Sequence, residues 1–343
     1  MNPPPKVIVA YTEFEPPAVN NGERLSEESL LEMARQVEGA VQTLGWPVTV
    51  VPLQRSILNF VNRLRSENPD VLVNLCEGFY GRARWEANVA GIFELLGLSF
   101  TGSPLRTLAL CLDKFQAKAV LRAAGLPTAP AQLMASPTQE TELAFPLIVK
   151  PDMEDASLGI YSQSVVRDAE SLAQQVQRII ETYRQPAIVE RYIDGREFNV
   201  SVMDNGEIQP LPVSEIDFTE LPRGTPHICS YEAKWFEDHP LYQKTPPVCP
   251  AEIDGDLQRK LQELAVAAFQ VMGCRDYARV DFRMGRDGKI YILEVNPNPD
   301  ISLNAGYVRA LKAAGLRYEK FWRVMIENAL KRKDTLDTAD DGK

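Results

Sequence analysis

The chain has 343 residues, 45% of them hydrophobic and 24% charged, so it can bury more than one core and exceeds one ordinary domain. Its 37 basic and 47 acidic side chains give a net charge of −10, which argues against general binding to nucleic acid or to an anionic membrane surface. No stretch approaches the roughly 18 to 20 apolar residues that span a bilayer, so a soluble cytoplasmic protein is expected. The five cysteines (Cys76, Cys111, Cys229, Cys249 and Cys274) form no CxxC pair, and His227 and His239 are the only histidines. A disulfide framework, a zinc site and histidine-cluster chemistry are therefore not expected, and these residues read as structural.

The first third alternates strand-like runs (KVIVAYT, VTVVPL, DVLVNLC) with the helical pattern LSEESLLEMARQVEGAVQTLG. That order predicts an open parallel sheet in an α/β domain over residues 1–112. The helix DKFQAKAVLRAAG, ended by Gly125 and Pro127, opens a second unit over 113–193. This unit continues with FPLIVK, SQSVV, a helix from Ala169 to Tyr183, and AIVERYI. A third unit, 194–330, has α+β character: REFNVSVM, YARVDFRM, KIYILEV and the helix AGYVRALKAAG. Residues 212–250 are rich in Pro, Glu and Asp with little periodicity, the mark of a functional loop or of disorder. Within them, Leu221 to Pro247 is expected to be a lid. The terminal KRKDTLDTADDGK, 331–343, reads as a disordered, solvated tail.

The chemistry concentrates in VDFRMGRDGKIYILEVN, where Asp287-Gly288 is a two-residue hairpin signal. Counting outward sets Asp281 opposite Glu294, and Arg279 opposite Asn296 on the same face. Two acids directly opposed on a sheet need a cation or a shared proton. Two carboxylates and an amide suit Mg²⁺, which prefers oxygen and keeps waters and phosphates in its shell. The competing reading is a solvated face on which Arg279 and Arg283 neutralise Asp281.

FPLIVKPDMEDASLGIY runs from a strand through Lys150 into a small-residue turn with Ser157 and Gly159, a form suited to phosphate. A strand-end lysine is also commonly just solvated, and Lys114 in LDKFQAK equally fits an exposed first helical turn. IVERYIDGREFNV places Glu190 and Glu197 on either side of Asp194-Gly195. Such a hinge can offer backbone groups to a base and a carboxylate to a ribose, or it is a plain charged hairpin.

In order and spacing, LGLSFTGSPLRTLALCLDKFQAK, FPLIVKP, IVERYIDGREFNV, YEAKW and ARVDFRMGRDGKIYILEVN resemble the ATP-grasp superfamily. Within it they are similar to the D-alanine:D-alanine ligase-like group, over roughly residues 70 to 330. The resemblance implies three parts, with ATP held between the central and C-terminal ones. It implies that Lys114, Lys150 and Ser157 meet the ATP phosphates. Glu190 and the backbone near Arg191 and Ile193 then flank the adenine, and Glu197 binds the ribose. Lys234 in YEAKW resembles the lysine of the mobile loop that closes over the γ-phosphate. Asp281, Glu294 and Asn296 match the ligands of two Mg²⁺ ions, with Mn²⁺ an alternative, and Arg279 the oxyanion-stabilising arginine.

The activity implied is a carboxylate–amine ligase acting on small molecules through an acyl phosphate; a homodimer, usual in related ligases, is a possible assembly. Its alternatives are a true D-alanine:D-alanine ligase and a non-catalytic ATP-binding module. Several segments depart from the family pattern. NLCEGFYGRARWE stands in place of a histidine-glycine segment, EDASLG in place of a glycine-serine-serine run, and PDIS in place of a proline-glycine segment. Ala305 and Gly306 fall where a serine-leucine pair holds the second D-alanine's carboxylate, and Trp235 falls where a tyrosine is common. Asp300 is expected either to face the acceptor or, with Ser302, to cap a helix beginning near Asn304.

Overall fold

Three parallel strands open the molecule in the computed structural model, which describes residues 3–13 and 25–340. In chain order the first part comprises β1 (Val7–Thr12), α1 (Leu25–Thr43), β2 (Val48–Leu53), α2 (Ile57–Glu67), β3 (Val71–Leu75), α3 (Glu86–Leu95) and α4 (Leu105–Leu112). The strand β1 lies between β2 and β3, and every residue of β1 and β3 is buried. Strands covered on both faces read as unbroken apolar runs. Successive β1 side chains enter opposite cores: Val7 and Val9 join Leu30 and Val37, while Ile8 and Ala10 join Phe60 and Phe93.

Helix α5 (Lys114–Ala123) follows, its N-terminus capped by Asp113, which accepts from the Gln116 N–H at 2.8 Å. The central sheet then forms from β4 (Ala131–Met134), β5 (Leu147–Pro151), β6 (Val165–Val166) and β7 (Ala187–Arg191), in the order β4-β7-β5-β6, with α6 (Ala169–Tyr183) between β6 and β7. Helix α6 occupies the predicted residues and buries Leu172, Val176 and Ile179 against this sheet.

The third part contains β8 (Gly195–Asp204), β9 (Ile208–Pro210), β10 (Ser214–Ile216), α7 (Tyr231–Trp235), α8 (Pro240–Gln243), β11 (Pro247–Val248), α9 (Gly255–Val271), β12 (Tyr277–Gly285), β13 (Ile290–Asn296), α10 (Gly306–Ala313) and α11 (Tyr318–Asp340). Its antiparallel sheet runs β11-β10-β8-β12-β13, with β9 on β8. The 212–250 stretch holds β10, α7, α8 and β11, elements too short to give a sequence period. Helix α9, not singled out from the sequence, covers one face of the sheet together with α5.

Two assignments differ from the sequence expectation. Helix α5, placed with the central unit, instead buries Ala117 and Leu121 in the C-terminal core beside Phe198, Val280 and Ile292, because α6 already covers the central sheet. The backbone of α11 stays helical through Asp340, where composition predicts a disordered tail from residue 331. No glycine or proline interrupts residues 318–341, and Lys, Arg, Leu and Ala favour helix. Residues 341–343 lie outside the described residues.

Helix α11 also returns to the first sheet, where Phe321, Trp322, Met325 and Ile326 share a core with Val7 and Val71. Asp276, 1% exposed, accepts from the Gly102 N–H at 2.8 Å and pairs with Arg332 at 2.7 Å. Thr107 Oγ1 donates to the Gly273 carbonyl at 2.7 Å. These bonds fix the start of β12 against the first domain, just ahead of Arg279.

Candidate active site

The β12–β13 hairpin sets Asp281 opposite Glu294 and Arg279 opposite Asn296, as the outward count predicts. The count succeeds because two shifts cancel. The turn spans three residues, Arg286 to Gly288, closed by Gly285 N–H to Lys289 O at 2.9 Å, with Gly288 at φ 76°. Between Asp281 and Phe282 the register slips back, with Leu293 as the extra residue. The bulged Leu293 carbonyl accepts from Lys118 Nζ at 3.0 Å.

On the face away from α5 and α9, pairing across β8, β12 and β13 lines up polar side chains in rows. Ser201, Arg279 and Asn296 form one row; Asn199, Asp281 and Glu294 form the next; Glu197, Arg283 and Tyr291 form a third. The hinge keeps β8 tight on β12: a Cβ at Gly195 would lie 2.0 Å from the Met284 carbonyl oxygen.

Arg279 grips Asp281 through Nε and NH2, both at 2.7 Å. Burial disfavours its charge, but Asp281, then Glu294 and Asp300, hold the guanidinium ionised. This pair is what an inert, neutralised face would contain. Arg283 does not join it; it pairs with Glu197 at 3.1 Å and donates to the Gly195 and His227 carbonyls. Glu294 is the decisive member. Among the described residues its carboxylate has no hydrogen bond or ion pair, and although burial raises its pKa, Lys114, Lys150, Arg279 and Lys234 together hold it below the usual value. An ionised carboxylate in a cationic field, with no direct partner, is an open ligand position.

Lys114 and Lys150 are 4% and 7% exposed, which excludes the solvated readings of both. Lys150 pairs with Glu190 at 2.8 Å, and Lys118, not anticipated from the sequence, grips the other carboxylate oxygen at 3.1 Å. Burial alone would raise the Glu190 pKa, but Lys118 and Lys150 hold it down at about 2. Lys118 stands four residues after Lys114 and thus on the same helix face, a signal the sequence did carry. Lys114 does not line the large cleft; its Nζ donates to the Glu154 carbonyl and lies 3.9 Å from Asp155, bracing the loop after β5.

Ser157, at φ 61°, donates from Oγ to the Cys229 carbonyl at 3.0 Å. Trp235 Nε1 donates to the Ala156 carbonyl at 2.9 Å, and the Tyr231 N–H to Ile160 at 2.8 Å. The segment expected to be a lid is thereby docked on the loop after β5, with Lys234 Nζ 5.3 Å from the Trp235 ring centroid. The arginine at the hinge, Arg191, donates to the Tyr291 hydroxyl at 2.6 Å and tethers the central sheet to β13. No backbone hydrogen bond among the described residues engages Ile193, so its amide groups are available.

A cleft of about 730 Å³ opens between the central and C-terminal sheets, lined by Lys150, Ser157, Glu190, Glu197, Asn199 and Glu294, with Arg191 and Ile193 at the hinge. A second cavity of about 130 Å³ lies beside it, walled in part by Leu30, Glu77, Glu86 and Leu108 of the first part. Arg279, Asn296, Lys234, Trp235, Ala156 and Asp300 border both. Asp300 accepts from the Ser302 N–H at 2.8 Å, holding the loop after β13. Helix α10 starts later, with Ala305 at its N-cap and no side-chain cap, so neither Asp300 nor Ser302 caps it.

Asp281, Glu294 and Asn296 supply hard oxygen donors, and each carboxylate oxygen bonded to Arg279 keeps a further lone pair. Among the described residues no three His, Cys, Asp or Glu side chains form a metal cage. Mg²⁺ does not require one, since it is commonly bound by one or two carboxylates plus phosphate and water. The donor set therefore fits that ion. Among the described residues no helix is long and apolar enough to cross a membrane.

Comparison with known proteins identifies the family. Residues 119–327 match the family model "D-ala D-ala ligase C-terminus". A D-alanine–D-alanine ligase of Rhizobium meliloti is 33% identical over 84% of this chain and 89% of its own length. An uncharacterized protein of Sinorhizobium fredii, y4sG, is 33% identical over 88% of each chain. The crystal structure of D-alanine–D-alanine ligase from Bacillus anthracis complexed with ATP superposes with a TM-score of 0.74 at 21% identity, covering 96% of this chain and 99% of that one. By sequence and by fold, the chain belongs to the D-alanine–D-alanine ligase family of ATP-grasp ligases.

Proposed function

We propose that the protein joins a small carboxylate to an amine using ATP, through an acyl phosphate. The observation that carries this reading is the meeting of two spaces at Arg279, Asn296 and Lys234: a nucleotide-sized cleft on one side and a small-molecule cavity on the other. ATP would occupy the cleft, with its base toward Arg191 and Ile193, its ribose toward Glu197 and its phosphates toward Lys150, Ser157 and Lys234. Lys114 would act by holding the phosphate loop in place. Asp281, Glu294 and Asn296 would hold Mg²⁺, or Mn²⁺, whose role is to neutralise charge on phosphate oxygens.

A carboxylate is a poor electrophile for an amine. Its oxygen first attacks the γ-phosphorus, and ADP leaves. The amine nitrogen then attacks the acyl carbon, the bond to the phosphate oxygen breaks, and phosphate and a proton depart. Arg279, kept ionised by its acidic neighbours, would stabilise the oxyanion of the tetrahedral intermediate. The lid fastened by Trp235 and Ser157 would exclude the water that otherwise hydrolyses the activated acyl group.

The D-alanine–D-alanine ligases of Rhizobium meliloti and Sinorhizobium fredii are 33% identical to this chain, and ligase B of Chromobacterium violaceum is 28% identical. Ala305 offers no hydroxyl to a second carboxylate, and Asp300 borders the junction and would repel one. Efficient D-alanyl-D-alanine synthesis is therefore not expected. The test is phosphate release under Mg²⁺-ATP with a panel of carboxylates paired with amines, amino acids and dipeptides, including D-alanine alone. Robust dipeptide formation at millimolar D-alanine would overturn this specificity, and no stimulation by any pair would favour a non-catalytic nucleotide-binding module.

A further inference from the structure

The segments in which this chain departs from the family pattern converge on the cavity of about 130 Å³ beside Arg279. They bring Glu77 and Glu86, Asp155, and Asp300 to its wall. Asp155 has Lys114 at 3.9 Å, whereas Glu77, Glu86 and Asp300 have no ion pair among the described residues. Glu86 is 8% exposed; its Oε1 accepts from Asn298 Nδ2 at 2.8 Å, and no donor among the described residues reaches Oε2.

Of the bordering cations, Arg279 is engaged by Asp281, and Lys234 lies against Trp235 at the junction with the nucleotide cleft. Among the described residues, that leaves Arg82 against three acids. Burial, then Asp300 and Asp155, push Glu77 up to about 8, and burial drives Glu86 well above the usual range. Both acids thus favour a bound proton over an unpaired charge, the condition that a bound cation relieves. Leu30, Met33, Leu108 and Leu112 complete the wall with surface suited to methylenes.

We propose that this cavity receives the cationic end of the amine substrate: an aminoalkyl group whose ammonium, distinct from the nitrogen that is acylated, is held by Glu77, Glu86 and Asp300. The proposal rests on the ligase reading of the adjoining site. A cavity of roughly 150 Å³ takes a six-carbon molecule, so the size suits a short aminoalkyl chain.

Isosteric pairs that differ by one ammonium test it: 1,4-diaminobutane against 1-aminopentane, and ornithine against norleucine in both hands. Binding is measured by calorimetry on the full chain with Mg²⁺ and a non-hydrolysable ATP analogue, alongside phosphate release with ATP in the presence of the same panel of carboxylates. The member with the extra ammonium should bind at least about tenfold tighter. Glu77→Gln and Glu86→Gln should each bring the ratio toward one without changing affinity for the analogue; if Glu86→Gln does not fold, Asp300→Asn supplies the same test. Equal binding within both pairs, no binding by either member, or a preference that survives in the variants overturns the proposal. A clear preference without phosphate release from any pair would retain the cation site and remove the ligase reading, whereas phosphate release without a preference removes the cation site alone.

Discussion

Glu190 and Glu77 are the same side chain, one fully and one partly buried, and their acidities are shifted in opposite directions. Glu190 sits between Lys118 and Lys150 and titrates near 2; Glu77 faces Asp300 and Asp155 and titrates near 8. Burial raises both, so the neighbours decide the outcome. Around the large cleft the chain supplies its own cations, and acids such as Glu190 and Glu197 are already paired. Around the small cavity it supplies mostly acids, and the balance is left for a ligand. Glu294 is intermediate: cations hold it ionised from a distance, yet none touches it.

The largest effect is expected from Glu190→Gln, which leaves Lys118 and Lys150 buried without their counter-charge. Stability should fall by about 3–5 kcal/mol, read as a lower urea midpoint. A loss under about 1 kcal/mol would show that the triad does not hold the central sheet to α5. Glu294→Gln should do the reverse, changing stability little while lowering phosphate release by about a hundredfold or more. Unchanged turnover together with unchanged Mg²⁺-ATP affinity by calorimetry would remove Glu294 from the metal patch.

The two glutamates should also give stability opposite slopes with pH. The folded pKa of Glu190 lies below the ordinary 4.5, so its contribution is full above about 4.5 and is lost as pH falls toward about 2. That of Glu77 lies above 4.5, so its contribution is full below about 4.5 and is lost as pH rises through about 8. Glu77→Gln should therefore stabilise the protein at pH 8–9 and hardly at pH 5, measured by urea unfolding at each pH. An equal effect at both would mean that Glu77 is not held protonated by its surroundings.

The smallest effect concerns the lid. Trp235→Phe keeps an aromatic ring but removes the donor to the Ala156 carbonyl, worth about 1 kcal/mol. Limited proteolysis between Leu221 and Pro247 should speed up, and a non-hydrolysable ATP analogue with Mg²⁺ should slow it again in both proteins. Cutting that is insensitive to the analogue in the parent protein would argue against a nucleotide-dependent lid.

What could be read from the sequence was whatever local spacing encodes. Helix α6 appears over the residues read as helical, and the structure adds its Asp168 cap, because helix formation is governed by signals within a few turns. Arg279 and Asp281 share a face because strand side chains alternate, so their contact follows from a spacing of two. The opposition of Asp281 and Glu294 was correct only because a longer turn and the bulge at Leu293 offset each other, and the bulge depends on contacts with Lys118 and Pro127. Lys118 itself carried the right spacing, but the partner that gives it meaning, Glu190, is remote in sequence. The core that α5 joins, the docking of Trp235 on Ala156 and the gathering of Glu77, Glu86 and Asp300 were decided by the tertiary structure alone. Spacing along a chain determines which side chains share a face; only packing determines which distant faces are brought together, and with them which charges are left without a partner.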